Sequence, residues 1–289
     1  MNKISVVIPA YNAAKTVEQT VRGVLQSSVA LDVWVVDDGS TDETGAVLDR
    51  LAAECSAVHV IHQENQGAYM ARLNALRQIK SEWFGFVDAD DQIDPHMFET
   101  MLDFGEHNAC DVVQCGVDGV DEDRDLGTWY RKIVGERESA VLDNAREVRR
   151  RFFEPHLVAG NGASFIWNKI YRNRYDFSSF VTFDHLTNYD DMIFNFQFFA
   201  NVRRMGFVRQ RLYHYARTEG SATHSYGARQ FYDFCACAGF RRTLNLPPNS
   251  WFKINLRSSF ATVIRSRETI WRKMYWTAKL LGVWKNQHR

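Results

Sequence analysis

Asp88-Ala89-Asp90-Asp91 follows the apolar pair Phe86-Val87 with three carboxylates and one small residue between them. A run of this kind is buried in a sheet, so the acids fall where the strand leaves the core, at the carboxyl edge where open α/β folds bind ligands. Carboxylates crowded there repel one another unless a hard cation neutralises them. An Asp-x-Asp pair can share one octahedral Mg²⁺ or Mn²⁺ with a diphosphate, which makes Asp88 and Asp90 candidate ligands. The competing reading is an acidic turn ahead of a helix, with Asp94 as N-cap and Pro95 as first helical residue. Three more polar clusters close apolar runs in the same way: Pro9-Ala10-Tyr11-Asn12, Asp37-Asp38-Gly39-Ser40 and Asn65-Gln66-Gly67. Turn chemistry explains any one of them, but four in order at the ends of parallel strands converge on one cleft, which favours a nucleotide-type site.

Elements to position these residues are legible. Strands are expected at 4–8, 33–36, 58–61, 83–87 and 112–117. Helices are expected at 14–25, from a Ser40/Glu43 capping box to about 55, at 67–79 and at 95–108. Strand then helix, repeated, means a mainly parallel sheet with helices on both faces. Beyond 118 the pattern loosens into an acidic loop, a helix at 143–153, strands at 165–171 and 207–215, and a Phe-rich helix at 189–200. The expected organisation is a nucleotide-binding half (1–110) and a less regular half (111–225) sharing one sheet, then a helical tail (226–289).

A chain of 289 residues can bury one large core. Its start lacks the basic and long apolar regions of a secretory signal, and no window approaches the roughly 20 apolar residues of a membrane span. The catalytic part is therefore expected in the cytoplasm. Cys55, Cys110, Cys115, Cys235 and Cys237 are an odd set without metal-site spacing and read as reduced thiols.

Taken together, Ser5-Val-Val-Ile-Pro-Ala-Tyr-Asn12, Val35-Val-Asp-Asp-Gly-Ser-Thr-Asp42, Asn65-Gln-Gly67 with Ala71-Arg72, and Asp88-Ala-Asp-Asp91 resemble the family 2 glycosyltransferases, inverting enzymes of the glycosyltransferase A fold. The likeness covers the first 115 residues or so. It continues more weakly through Trp167-Asn-Lys-Ile-Tyr-Arg172, Tyr189-Asp-Asp-Met-Ile-Phe194 and Leu212-Tyr-His-Tyr215. The resemblance implies a donor site built from Pro9, Ala10, Tyr11, Asn12, Asp38, Gly67, Arg72, Asp88 and Ala89. In it Tyr11 stacks on a nucleobase and Asp38 accepts the imide N–H of uracil. Arg72 lies near the base or diphosphate, although Leu73 departs from the family's Ala-Arg-Asn. Asp88 contacts ribose or metal, Asp90 ligates the metal, and Gln92 is a further oxygen-ligand candidate.

Asp190-Asp191 stands where the family usually has Glu-Asp, which makes Asp191 the general base toward the acceptor hydroxyl and Asp190 its helper. Without the resemblance, two acids there read as a helix start favoured by the macrodipole. His214, with His224 as competitor, is a third-ligand candidate that suits Mn²⁺ better than Mg²⁺; a buried, hydrogen-bonded His is the plainer reading. Trp167-Asn168-Lys169 would shape an acceptor pocket, with Trp167 equally a core residue. The implied reaction moves a sugar from a nucleotide diphosphate donor, a UDP-sugar, to a hydroxyl of a glycan or lipid-linked glycan. No Gln-x-x-Arg-Trp run or membrane bundle is present, so transfer is expected one sugar at a time, in bacterial surface-polysaccharide assembly. A sugar nucleotidyltransferase is a rival class, but Pro9-Ala10-Tyr11-Asn12 is unlike its Gly-rich phosphate loop. A non-catalytic binding protein on the same fold is another, and the full set of carboxylates argues against it.

Formal charge sums to zero, yet residues 226–289 hold 12 Lys and Arg against two acids and four of the eight Trp. Basic aromatic helices suit an anionic membrane surface, and packing on the catalytic part or on a second subunit of a homo-oligomer is the alternative. No nucleic-acid motif accompanies this stretch.

Overall fold

The computed structural model describes residues 3–118, 133, 135, 137–157, 164–183, 186 and 189–216. Residues 226–289, and with them the expected tail, lie outside the described residues, as does His224.

The first half alternates as expected, except that a short strand β5 precedes α4, which starts at Met97 after His96 and not at Pro95: β1 (Ile4–Ala10), α1 (Val17–Leu25), β2 (Leu31–Asp38), α2 (Thr44–Glu54), β3 (Val58–Gln63), α3 (Ala68–Leu76), β4 (Trp83–Phe86), β5 (Gln92–Ile93) and α4 (Met97–His107). The second half contributes β6 (Val112–Asp118), β7 (Ser139–Leu142), α5 (Ala145–Glu147), β8 (Lys169–Arg172), α6 (Asp190–Phe198) and β9 (Met205–His214). After α5 the chain widens into a π-helical stretch, Val148–Leu157, with Pro155 inside it. A proline cannot donate to the ladder of an α-helix and clashes with the preceding turn, so the helix expected over 143–153 is regular only at its start.

The strands form one sheet in the order β3-β2-β1-β4-β8-β6-β9-β5, with β7 paired to β9. Its longest ladders, β1·β2, β2·β3 and β6·β9, are parallel. β8 runs antiparallel to both β4 and β6. This reversal has a functional consequence, because it brings the start of β8, Lys169, to the edge where β1, β2 and β4 end.

Side chains alternate between two cores, as a strand's period of two requires. Ile4, Val6 and Ile8 of β1 pack with α1, α2 and α4 on one face, while Val7 packs with α3 and α6 on the other. The second core is strongly aromatic: Phe84 lies 5.2 Å from Tyr171 in a stacked pair, and Phe86 lies 5.2 Å from Phe194 edge to face. Those contacts seat α6 over the end of β4, which places Asp190 and Asp191 above the Asp88 turn.

The capping box expected at Ser40 and Glu43 does not form. Helix α2 starts at Thr44, with no side-chain bond from Glu43 to the helix start. Asp42 Oδ1 accepts from Thr44 N (3.0 Å), and Ser40 Oγ turns to the N–H of Asn12 (3.0 Å), a partner 28 residues away.

Candidate active site

At the edge where β1, β2 and β3 end, polar side chains are held by main-chain groups of neighbouring loops. Asp38, 3% exposed, accepts from Gln66 N and Gln63 Nε2 on one oxygen and from Gly67 N on the other, each at 2.8 Å. Gly67 has φ +89°, in the region that favours glycine, and this aims its N–H at Asp38. Gly39 has φ +70°, and a Cβ on it would meet Asn65 N at 2.7 Å, so only glycine fits there. Asp37 Oδ1 accepts from Ser40 N (3.0 Å) and its Oδ2 lies 3.0 Å from His62 Nδ1. Burial raises its proton affinity, but Ser40 and His62 outweigh burial and hold the carboxyl below its usual range. Asn12 Oδ1 accepts from Thr41 N (2.8 Å), which fixes the turn after Pro9 and Ala10. Tyr11 projects from that turn 52% exposed and, with Val181, is one of two large exposed hydrophobic side chains among the described residues.

Charge, rather than main chain, joins β4 to α6. Arg72 on α3 is 6% exposed; one terminal nitrogen donates to Asp88 Oδ1 (2.7 Å), and the other to Asp190 Oδ2 (2.5 Å) while lying 3.7 Å from Asp191 Oδ1. Its guanidinium carbon sits 5.9 Å from the centre of the Phe86 ring. Burial opposes the charge, but Asp88, Asp190 and Asp191 together outweigh it and keep Arg72 protonated. Both terminal nitrogens are thus engaged by carboxylates, so Arg72 brackets the strand end and the helix start, while its buried Nε has no hydrogen-bond partner among the described residues.

Asp190 and Asp191 open α6 directly after Tyr189, whose φ of +66° turns the chain into the helix. Asp191 is pushed well above the usual carboxylate range, first by burial and then by the neighbouring charge of Asp190. Lys169, fully buried, donates to the Phe165 carbonyl and to Asn168 Oδ1 (3.1 Å). Burial pulls its ammonium down to about 7, with Asp191 acting in the opposite sense.

The acidic turn divides into different environments. Asp88 keeps 29% of its side chain exposed and Asp90 is half-buried, whereas Asp91 is fully buried. Asp91 Oδ2 accepts from Tyr213 Oη (2.5 Å) and Oδ1 from Ala216 N (2.7 Å). Burial and then Asp88 push Asp91 up to about 8. Thr20 Oγ1 reaches the Ala89 carbonyl (3.1 Å) and the Asp91 carbonyl (3.0 Å), pinning the turn from α1.

The expected ligand set Asp88, Asp90 and His214 is not assembled. Among the described residues no group of three or more His, Cys, Asp or Glu side chains is arranged to hold a metal ion. His214 lies on the face of β9 away from Tyr213, with Nδ1 3.5 Å from Asp118 Oδ2. Gln92 donates to the Asp91 carbonyl (2.9 Å) instead of joining the carboxylates. Asp88 and Asp90 alone still fit a hard cation, because Mg²⁺ and Mn²⁺ sites on diphosphates commonly take one or two protein carboxylates and complete their shell from phosphate and water. Trp167 is 3% exposed and stacked between Phe165 (4.6 Å) and Tyr213 (4.4 Å), so it is a core residue rather than an open platform.

The sequence reading missed Tyr213. A signal was present: in a strand, residues 213 and 215 share one face and 214 the other, so Tyr-His-Tyr could not aim all three inward.

Sheet order, the switch to an antiparallel β8 and the carboxylate edge define a glycosyltransferase A fold. The model of "Glycosyl transferase family 2" matches residues 5–177, and the chain belongs to that family. The uncharacterized glycosyltransferase YibD of Escherichia coli is 28% identical over 74% of this chain and 61% of its own. Glycosyltransferase GlyG of Streptococcus pneumoniae is 29% identical over 75% of this chain and 72% of its own. The chain thus spans about three fifths of the YibD sequence. Among solved structures, residues 1–349 of S. aureus TarS in complex with UDP-GlcNAc superpose with TM-score 0.61 at 20% identity, covering 97% of this chain and 72% of that one. Mannosyltransferase PcManGT from Pyrobaculum calidifontis, in complex with GDP-Man and Mn²⁺, gives TM-score 0.55 at 14% identity, covering 99% and 82%.

Proposed function

We propose that this chain is an inverting glycosyltransferase that moves one sugar from a UDP-sugar to a hydroxyl of a glycan or lipid-linked glycan. The observation that carries the reading is the Arg72 bracket, which holds a strand-end carboxylate and a helix-start carboxylate pair within one guanidinium's reach. Donor chemistry and acceptor deprotonation need those two groups side by side.

In this reading the exposed ring of Tyr11 stacks on uracil, and the acceptor site left on Asp38 takes the imide N–H. Pro9, Ala10, Asn12, Gly67 and Ala89 shape the backbone walls. A Mg²⁺ or Mn²⁺ held by Asp88 and Asp90 would supply charge neutralisation on the diphosphate leaving group. Asp191 accepts the proton of the acceptor hydroxyl as its oxygen bonds to the anomeric carbon, and the bond from that carbon to the diphosphate oxygen breaks on the opposite face. The nucleoside diphosphate leaves with the electron pair, so one displacement inverts the centre. Asp190, tied to Arg72, leaves Asp191 as the freer of the two carboxylates. Its raised proton affinity suits a group that must take a proton.

The relatives' names support the setting: one, 33% identical over 49% of this chain, is a putative teichuronic acid biosynthesis glycosyltransferase of Bacillus subtilis. No helix among the described residues is long and apolar enough to cross a membrane. The basic, Trp-rich residues 226–289 support peripheral attachment to the inner face of the cell membrane, where lipid-linked acceptors lie.

Incubation with a panel of nucleotide sugars and Mn²⁺, read by release of free nucleotide and by NMR of the product anomer, tests the reading. Release of UDP with formation of the opposite anomer is expected. Retention of the donor's anomeric configuration, or release of pyrophosphate as a nucleotidyltransferase would give, contradicts it. Sedimentation with anionic liposomes tests the tail: pelleting at low salt that is lost at high salt is expected, and none at either salt contradicts attachment.

A further inference from the structure

Three acids close β4, yet their surroundings assign them different work. Both oxygens of Asp91 are taken, one by Tyr213 Oη and one by Ala216 N, and no part of the side chain reaches solvent. Nothing remains of it to meet a ligand. The hydroxyl it holds has a second bond: Tyr213 Oη accepts from the main-chain N–H of Asp88 at 3.2 Å. Without that oxygen the N–H at the pivot of the turn would lose its partner in a site closed to water on that side. The ring of Tyr213 is fixed independently, stacked 4.4 Å from Trp167, so the hydroxyl is delivered to the turn by a rigid aromatic wall.

We propose that Tyr213 is a positioning residue of the donor turn: its hydroxyl, oriented by Asp91, fixes the backbone of Asp88 so that the Asp88 and Asp90 carboxylates converge on a shared divalent cation. Asp91 belongs to the support of the turn and not to the cation's ligands. The inference rests on the donor reading given above. It does not depend on which oxygen carries the shared proton, because the Tyr213 oxygen can accept from Asp88 in either case.

The same support reaches further along the chain. Just after β9, Ala216 N donates to Asp91 and Tyr215 N donates to the Asp118 carbonyl (3.0 Å).

The test is calorimetric titration of UDP into the full chain with and without Mn²⁺, comparing the unsubstituted protein with Tyr213→Phe. Phenylalanine keeps the stack on Trp167 and removes one oxygen, so thermal unfolding should stay cooperative. UDP affinity without metal should be unchanged, and the gain in affinity on adding Mn²⁺ should shrink about tenfold, the worth of one buried hydrogen bond. A purely structural role would not separate the two affinities. If Tyr213→Phe does not fold, Asp91→Asn reads the same quantity, since it keeps the volume but turns a donor toward the hydroxyl. An Mn²⁺ gain that survives in the folded variant overturns the inference and leaves the donor reading standing. Absence of any Mn²⁺ gain in the unsubstituted chain overturns the donor reading, and this inference with it.

Discussion

At the donor edge, Asp38, Asp37 and Asn12 are gripped by the main-chain N–H groups of Gln66, Gly67, Ser40 and Thr41. At the start of α6, Asp190 and Asp191 are held by one buried guanidinium and lie near a buried lysine. Main-chain donors stay where the fold puts them whatever a neighbouring side chain becomes. A cluster of buried charges is a balance in which each group sets the position and proton affinity of the others. The two regions should therefore answer substitution differently: local loss at the donor edge, collective response around Arg72.

The largest expected effect is at the exposed strand end. Asp90→Asn should lower transfer by at least about 10³-fold and remove Mn²⁺-dependent UDP binding, because several kcal/mol of leaving-group stabilisation are lost. Circular dichroism should be unchanged, and calorimetry with UDP and Mn²⁺ checks the binding. Unaltered affinity would take Asp90 out of the cation site.

Arg72→Met breaks the comparison at its joint. Three carboxylates would lose their buried counter-charge, and destabilisation of about 3–5 kcal/mol is expected from the removal of one partner of a buried ion pair. Urea unfolding measures it, and a loss below about 1 kcal/mol would mean that the bracket carries little of the structure.

Asp190→Asn should act through its neighbour. Asp191 has raised proton affinity, so its base form is lost at a higher pH than for an ordinary carboxylate near 4. The acid limb of the pH-rate profile should accordingly lie above that range. Removing the Asp190 charge lessens repulsion and frees Arg72 to favour the Asp191 anion, and both effects move the limb toward lower pH. A limb that stays in place would uncouple the pair.

Ser40→Ala should have the smallest effect. It removes the exposed bond from Asn12 N and the Ser40 side chain's interaction with Asp37, and should cost about 1 kcal/mol in the same urea measurement. A collapse comparable to that of Arg72→Met would erase the contrast between the two regions.

The donor edge was legible in the sequence because each of its parts is local. An apolar run followed by Asp-Gly, Asn-Gln-Gly or Asp-Ala-Asp names both the strand and its end, and parallel order then aligns the ends without further information. The partners that give the site its character are distant: Arg72 and Asp190 are 118 residues apart, and Asp91 and Tyr213 are 122 apart. No spacing rule reaches that far. Ser40 shows the same limit on a small scale, since its position suits a capping box and only the fold reveals Asn12 as its partner. His214 is a ligand candidate by resemblance and residue type, while the alternation of strand faces turns it to Asp118 and so to the plainer hydrogen-bonded reading. The helix expected over 143–153 gives way to a π-helical stretch around Pro155, a backbone effect that apolar spacing does not record.

The central claim is that donor binding and proton abstraction belong to separate carboxylates joined by Arg72. Asp191→Asn, assayed for both UDP affinity with Mn²⁺ and sugar transfer, tests it most directly. The account predicts donor affinity within about twofold of the unsubstituted chain and transfer reduced by roughly 10²- to 10⁴-fold, the worth of a positioned base. Retained transfer, or a loss of donor affinity as large as that of Asp90→Asn, would contradict it.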